Sequence, residues 1–249
     1  MTDEAPRHDE GRLGREFLAA FNEIEQHLRR ALQRSRGVPL NKMLDEYAER
    51  TSLPPEHLRA LKVFSGLRNT ICHGNYYGGR PIADPVAQIV EQINRLRDLI
   101  VSPPLATECL EGREMAVTAP HSPISGVLDV IRVHDYSQIP VYGGSAYVGL
   151  LTTNCIARWL ADRLASTSTL GDVNVEEIMR FAERDDRAQH IRRSTTAAEA
   201  SDYLLTPAAD GSRPRALVVT DTGATDEPPI AVIVDYDLPA LNAALSLPC

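Results

Sequence analysis

SQIPVYGGSAYVGLLTTNC, running from Ser137 to Cys155, decides how the second half of this chain folds. Two short apolar runs, SQIPVY and AYVGLLT, flank Gly143-Gly144, which reads as two strands joined by a tight glycine turn. The run ahead of them, PISGVLDVIRVHD, and the run behind, NCIARWLADRL, have helical period. Further on the order recurs as TTAAEASDYLL, RALVVTD, PIAVIVD and YDLPALNAAL. This is an internal repeat of roughly 60 residues with helix-strand-strand-helix content. A single copy would cover its sheet on one side only, so two copies are expected to pack together. The loop TDTGATDEPP is longer than its counterpart and is expected to be solvent-exposed.

Ahead of about residue 104 the period is different. Leu13, Phe17, Phe21, Ile24, Leu28 and Leu32 recur at steps of three and four, the stripe of an amphipathic helix. LNKMLDEYAER predicts a second helix, and TSLPPEH opens a third that runs to His73, with Gly74 as its left-handed stop. Asp84-Pro85 reads as N-cap and first residue of a fourth helix carrying Val86, Ile89, Val90, Ile93, Leu96 and Ile100. The fold class predicted is therefore multidomain, α and α/β. Residues 1–12 are expected to be disordered and 13–103 to form an all-α bundle. The span 104–249 holds the repeat pair, about 113–168 and 172–249.

At 249 residues, 43% hydrophobic and 24% charged, the chain can bury a core in each of two modest domains. No run is apolar enough to span a membrane, and MTDEAPRHDEGR is too polar for a signal peptide, so a cytoplasmic protein is expected. The four cysteines are scattered, without a CxxC pair or a zinc-like His spacing, so no metal site is expected. Charge is uneven: 15 Lys and Arg against 14 Asp and Glu over the first 100 residues, then 11 against 20. The acidic second half is a poor nucleic-acid surface. Contact with RNA, and not DNA, would fall to the first half, where Arg29, Arg30, Arg34 and Arg36 cluster. A solvated helix end explains the same cluster.

The tandem repeat resembles a pair of CBS (cystathionine β-synthase) domains, from about residue 113 to the C-terminus. IPVY before a strand, then a small residue, two apolar residues and a polar helix start carry the likeness. In that family the pattern is Gly, two apolar residues, Thr or Ser, any two, then Asp. The hydroxyl and the helix start hold a phosphate, and the Asp accepts from ribose hydroxyls. Each copy here keeps half of it. GLLTTNC supplies Gly149 and Thr152, with Cys155 in place of the carboxylate. AVIVDYD supplies Asp237, with Val234 in place of the hydroxyl and Ala231 in place of the glycine. The resemblance implies a regulatory adenosine nucleotide (ATP, ADP, AMP or S-adenosylmethionine) held through Thr152 or Asp237. The alternative is a degenerate pair kept as a dimerising scaffold.

The third helix ends on GLRNTICHGNYYGG, Gly66 to Gly79. At 100° per residue, Val63, Leu67, Ala60, Ile71 and Phe64 share an arc of roughly 100°, read as the core face. Ser65, Asn69, Lys62 and His73 fall on an opposed arc of roughly 80°, with Arg68 on the boundary about 140° from His73. One ideal helix cannot aim both Arg68 and His73 at one atom, so a site here is expected to be composite across a homodimer.

Arg-Asn-(any three)-His at the end of such a helix resembles the HEPN family (higher eukaryotes and prokaryotes nucleotide-binding), over about residues 13–103, with Glu25 in the first helix adding to the likeness. Many such proteins are dimeric, metal-independent ribonucleases. The resemblance implies that His73 moves a proton, Arg68 holds the phosphate and Asn69 orients one of them, leaving a 2′,3′-cyclic phosphate and requiring no cofactor. Tyr76 stands one residue beyond the tyrosine that one toxin subgroup has modified. Together the resemblances imply an RNA-cleaving or RNA-binding, toxin-like domain of bacterial defence or stress, regulated by a nucleotide-sensing CBS pair. The alternative is a non-enzymatic dimeric sensor or adaptor.

Overall fold

The computed structural model describes residues 11–35, 37–73, 84–110, 112, 114–166 and 173–248, the side chains of His73 and Ser166 excepted. The expected disorder of the N-terminus, the Gly74 stop, Tyr76 and Arg36 thus lie outside the described residues, apart from Gly11 and Arg12. The chain divides into two compact units, Met1–Pro104 with Leu245–Cys249, and Leu105–Ala244. The last five residues, expected with the second repeat, therefore count with the helical unit.

That unit contains α1 (Arg12–Ala31), α2 (Leu40–Arg50), α3 (Pro55–His73) and α4 (Ala87–Val101). Its core joins Phe17, Phe21, Ile24 and Leu28 of α1 to Leu44, Leu61, Phe64, Ile71, Val90, Ile93 and Leu96. Phe17 stacks on Phe21 and meets the Phe64 ring edge-on. Two sequence expectations shift. α4 starts at Ala87 with Val86 as N-cap, because the Asp84 carboxylate accepts the Gly14 N–H at 3.0 Å. In α3 the buried face is rotated: Val63 is 69% exposed, whereas His57, Leu61, Phe64, Ser65 and Ile71 are buried. Arg68 lies near the middle of this stripe, and Val63 sits about 140° from it.

The Arg cluster at the end of α1 is partly neutralised. Arg29 pairs with Glu25 at 2.6 Å and Arg34 with Glu46 at 2.7 Å. The C-terminal residues are tied into the same unit by Gln92, which donates to the Pro248 carbonyl, by Arg95, which donates to that of Ser246, and by Leu247 against the core. His57 joins the Leu245 backbone, and burial lowers its pKa below 6.5, outweighing the upward pull of Glu56 and that backbone bond, while Arg95 adds to the lowering. A histidine whose folded pKa is depressed leaves stability intact above its unfolded pKa. Stability is then lost as the pH falls from 6.5 toward the folded value. His27 and His190 shift the same way through burial. The thermal midpoint should therefore drop between pH 7.5 and 5.5, and His57→Gln should drop less; an identical slope in the variant would remove His57 from this account.

The second unit is α/β. Its described elements are α5 (Ile124–His134), β1 (Gln138–Gly143), β2 (Ala146–Thr152), α6 (Thr153–Ser166), α7 (Val175–Met179), β3 (Ala188–Arg192), α8 (Ala197–Leu205), β4 (Ala216–Thr220), β5 (Ala231–Val234) and α9 (Leu238–Leu245). β1 and β2 form an antiparallel hairpin whose turn needs Gly144, at φ +70°. In the other sheet β4 lies between β3, parallel to it, and β5, antiparallel.

The period of strand–helix–strand–strand–helix includes a leading strand that hydropathy does not reveal. In copy two it is β3, AQHIR, too polar to read as a strand. In copy one it shrinks to a single parallel bridge, Thr118 beside Val141. Each copy's lead-in segment clamps the other copy. Leu105 bridges Thr196 at the start of α8, and Asn174 bridges Pro123 at the start of α5. The amide groups there are satisfied by Ala106 N–H to Thr195 O, Ile124 N–H to Val173 O and Val175 N–H to Ser122 O, at 2.9, 2.9 and 3.0 Å. Val175 and Ile178 of α7 are buried in the core of copy one, with Val127, Val141, Leu151 and Trp159. The loop expected to be solvent-exposed is exposed or half-buried from Asp221 to Pro229, and it is anchored at one point, where Tyr147 N–H donates to Thr225 O at 2.8 Å.

Candidate functional site

A cavity of about 380 Å³ opens within the second unit, walled by both copies. Copy two contributes Ala231, Val232, Val234 and Tyr236, the end of β5 and the turn into α9. Copy one contributes its lead-in segment (Leu110, Glu114, Met115 and Ala116) and the stretch from His134 to Gln138 between α5 and β1. The wall is braced locally. His134 and Tyr136 stack at 5.3 Å, the Tyr136 hydroxyl donates to the Glu114 carbonyl, and Asp135 closes α5 in the left-handed conformation. Two acidic residues, Glu114 and Asp135, line the cavity, and among the described residues no Lys or Arg does.

Asp237, expected to receive a ribose, is 7% exposed, and its Oδ2 accepts the Val234 N–H at 2.8 Å. It closes the turn under the cavity wall. The helix-start amide at Val234 that a phosphate could have used is already taken by a carboxylate.

The equivalent place in copy one is packed. Gly149 has the Met179 methyl so close that a Cβ there would lie 2.2 Å from it. Thr152, expected to hold a phosphate, is 4% exposed; its hydroxyl donates to Asp186 Oδ1 at 2.9 Å and accepts the Cys155 N–H at 3.0 Å as an N-cap. The other Asp186 oxygen takes the Glu183 N–H at 3.0 Å and pairs with the Arg158 guanidinium. Cys155 donates its thiol to the Ile178 carbonyl, and burial pushes that thiol up to about 11, so it stays protonated. Sequence reading missed Asp186, Arg158 and Met179. The only cue was that Met179 and Asp186 sit in copy two's lead-in segment.

In the helical unit, Arg68 and Asn69 are adjacent, and an Arg68 terminal nitrogen donates to Asn69 Oδ1 at 3.3 Å. The Arg68 Nε is buried and has no hydrogen-bond partner among the described residues. His73 is the last residue of α3, and its side chain lies outside the described residues. Among the described residues no group of His, Cys, Asp and Glu could hold a metal, and no helix is long and apolar enough to cross a membrane.

The repeat, its reciprocal clamps and a cavity walled by both copies define a tandem α/β module. The solved structures that the chain resembles include CBS-domain proteins. One is CBSX2 in complex with AMP, at 19% identity over 57% of this chain and 92% of that one, with a TM-score of 0.36. A putative signal-transduction protein with CBS domains from Burkholderia ambifaria MC40-6 is 20% identical over 54% and 89%, at 0.39. The CBS domain of the bacterial CNNM/CorC family Mg2+ transporter in complex with ATP is 19% identical over 62% and 96%, at 0.39. No family model and no curated protein matches the chain.

Proposed function

We propose that Leu105–Ala244 is a sensor built from two CBS-type repeats, and that its ligand is an adenosine compound seated in the 380 Å³ cavity. The observation that carries this reading is the cavity's position. Ala231 and Val234, the residues at the glycine and hydroxyl positions of the repeat's ligand motif, line it. Asp237 acts by fixing the turn at Val234, and Thr152 belongs to the packed copy.

Among the described residues, the charge of the wall favours ligands without phosphate. Glu114 and Asp135 repel an anion, and Val234 offers no hydroxyl. S-adenosylmethionine or adenosine should bind ahead of AMP, and AMP ahead of ADP and ATP. The check is a thermal-shift series with these five compounds. At 100 times its dissociation constant a ligand adds about 2.7 kcal/mol. Ala231→Phe, which fills the cavity, should abolish the shift while leaving the unliganded midpoint within a few degrees. No shift from any of the five would end the sensor reading.

A second reading concerns α1–α4 and is favoured by the buried, unpartnered Nε of Arg68 beside the exposed Asn69. In it the helical unit is a HEPN-type, metal-independent endoribonuclease of a homodimer. Arg68 holds the scissile phosphate, Asn69 orients the reacting groups, and His73 moves the proton. The sensor would then set the geometry of the paired sites. Expression of wild type and His73→Ala in a bacterial host tests it: intact RNA and equal growth in both would leave a non-enzymatic adaptor.

A further inference from the structure

The two copies differ most where each would meet a ligand. Gly149, Thr152 and Cys155 of copy one stand in the repeat where Ala231, Val234 and Asp237 stand in copy two. Around the copy-two set the chain leaves a cavity, and the opposing wall is copy one's lead-in segment, Leu110 and Glu114–Ala116. The reciprocal clamps place the partner segment of copy two against the copy-one set. There Met179, five residues past its clamp residue as Leu110 is past Leu105, covers Gly149, and Asp186 reaches Thr152.

What gathers around Asp186 is a set of anion donors. The Thr152 hydroxyl, the Glu183 N–H and the Arg158 guanidinium converge on one carboxylate. A hydroxyl, a backbone amide and an arginine fork are the groups that would hold a phosphate. Asp186 is 8% exposed, and Arg158 is fixed from behind by donating its Nε to the Phe181 carbonyl at 2.8 Å. We propose that copy one retains an anion subsite which the chain fills with its own Asp186, Met179 occupying the rest of the space, so that each chain takes one ligand and not two. The stoichiometry rests on reading the copy-two cavity as a ligand site; the filled subsite does not.

Asp186→Ala in the full chain tests both parts. The chain has one tryptophan, Trp159, which is buried and adjacent to Arg158, so its fluorescence reports folding at this place. Unfolding is followed at constant ionic strength in chloride, acetate or phosphate. The variant should be less stable than wild type in chloride and should regain stability saturably with acetate or phosphate. Wild type should not respond in this way, and the double variant Arg158→Met/Asp186→Ala should lose the response. If Asp186→Ala does not fold in chloride, recovery of the native Trp159 signal on adding either anion is the same readout. Equal responses in wild type and variant, or none in the variant, would overturn the subsite. In calorimetric titration with adenosine and AMP, wild type should take one equivalent of either per chain and Met179→Ala/Asp186→Ala two of AMP, whose phosphate suits the opened subsite. Two equivalents in wild type, or one in both, would overturn the closure while leaving the sensor reading intact. No binding to wild type would end the sensor reading and the stoichiometry with it, and the anion experiment would still decide the subsite.

Discussion

Arg158→Met should cost the chain about 3–5 kcal/mol, because it leaves a buried carboxylate without its cation. The Asp186 side chain is 3% exposed and that of Arg158 29%, so the acid is the partner left stranded. Thr152 and Glu183 N–H still donate to it, but neither carries charge. Arg158 also donates to the Phe181 carbonyl at 2.8 Å and pairs with Glu183 at 3.2 Å, so its head organises the whole segment between α7 and β3. Methionine preserves most of the apolar stem, which separates the charge effect from lost packing. Its exposure and the solvated Glu183 place the expectation toward the lower end of the range. Urea unfolding followed by Trp159 measures it. Arg158→Met/Asp186→Asn should recover most of the loss, since no unpaired charge then remains. A single-variant loss below about 1 kcal/mol would mean that the pair behaves as a surface ion pair.

The hairpin of β1 and β2 and the helices flanking it were legible because one apolar side, a glycine turn and helical period all agree along a short stretch of chain. The leading strands were not. β3 reads AQHIR, and its place depends on parallel pairing with β4, which lies beyond α8. Copy one's version is a single bridge at Thr118. Neither has a local signal, since a parallel partner is distant in sequence by construction.

The rotated face of α3 has a different cause. Counting Val63 as core and Ser65 as surface follows hydropathy, yet Val63 is 69% exposed and Ser65 6%. The stripe is set by where α1, α2 and α4 stand, and it carries His57, Ser65 and Arg68 inward with the leucines. Asp84 likewise looked like a local cap and instead reaches Gly14. At the candidate site, the likeness of AVIVDYD to the CBS pattern pointed to Ala231, Val234 and Asp237. The opposing wall at Glu114–Ala116 is more than a hundred residues earlier in the chain and shares no motif with them. The same holds for Asp186, whose role exists only because the lead-in segments are exchanged between copies.

If the helical unit cleaves RNA, His73→Ala should slow cleavage by about 100- to 10,000-fold, the usual worth of a general acid or base. Arg68→Ala should do comparable damage through the phosphate, and Arg68→Lys should rescue little of it, since an ammonium lacks the planar fork. Five helical residues rotate the chain by about 500°, which leaves Arg68 and His73 about 140° apart. Arg68 leans toward the core stripe, so an ideal helix does not bring positions 68 and 73 to one phosphate. A two-fold dimer supplies the convergence, with Arg68 of one copy meeting His73 of the other. That arrangement has a signature that no single-chain site can give. Arg68→Ala and His73→Ala, each inactive alone, should regain activity when mixed and allowed to exchange subunits. Half of the randomly formed dimers are then mixed and each holds one intact site of two, so roughly a quarter of wild-type activity should return. A site held within one chain predicts no recovery on mixing. Recovery would therefore fix the composite geometry, and its absence alongside active wild type would place the whole machinery on a single distorted α3 end.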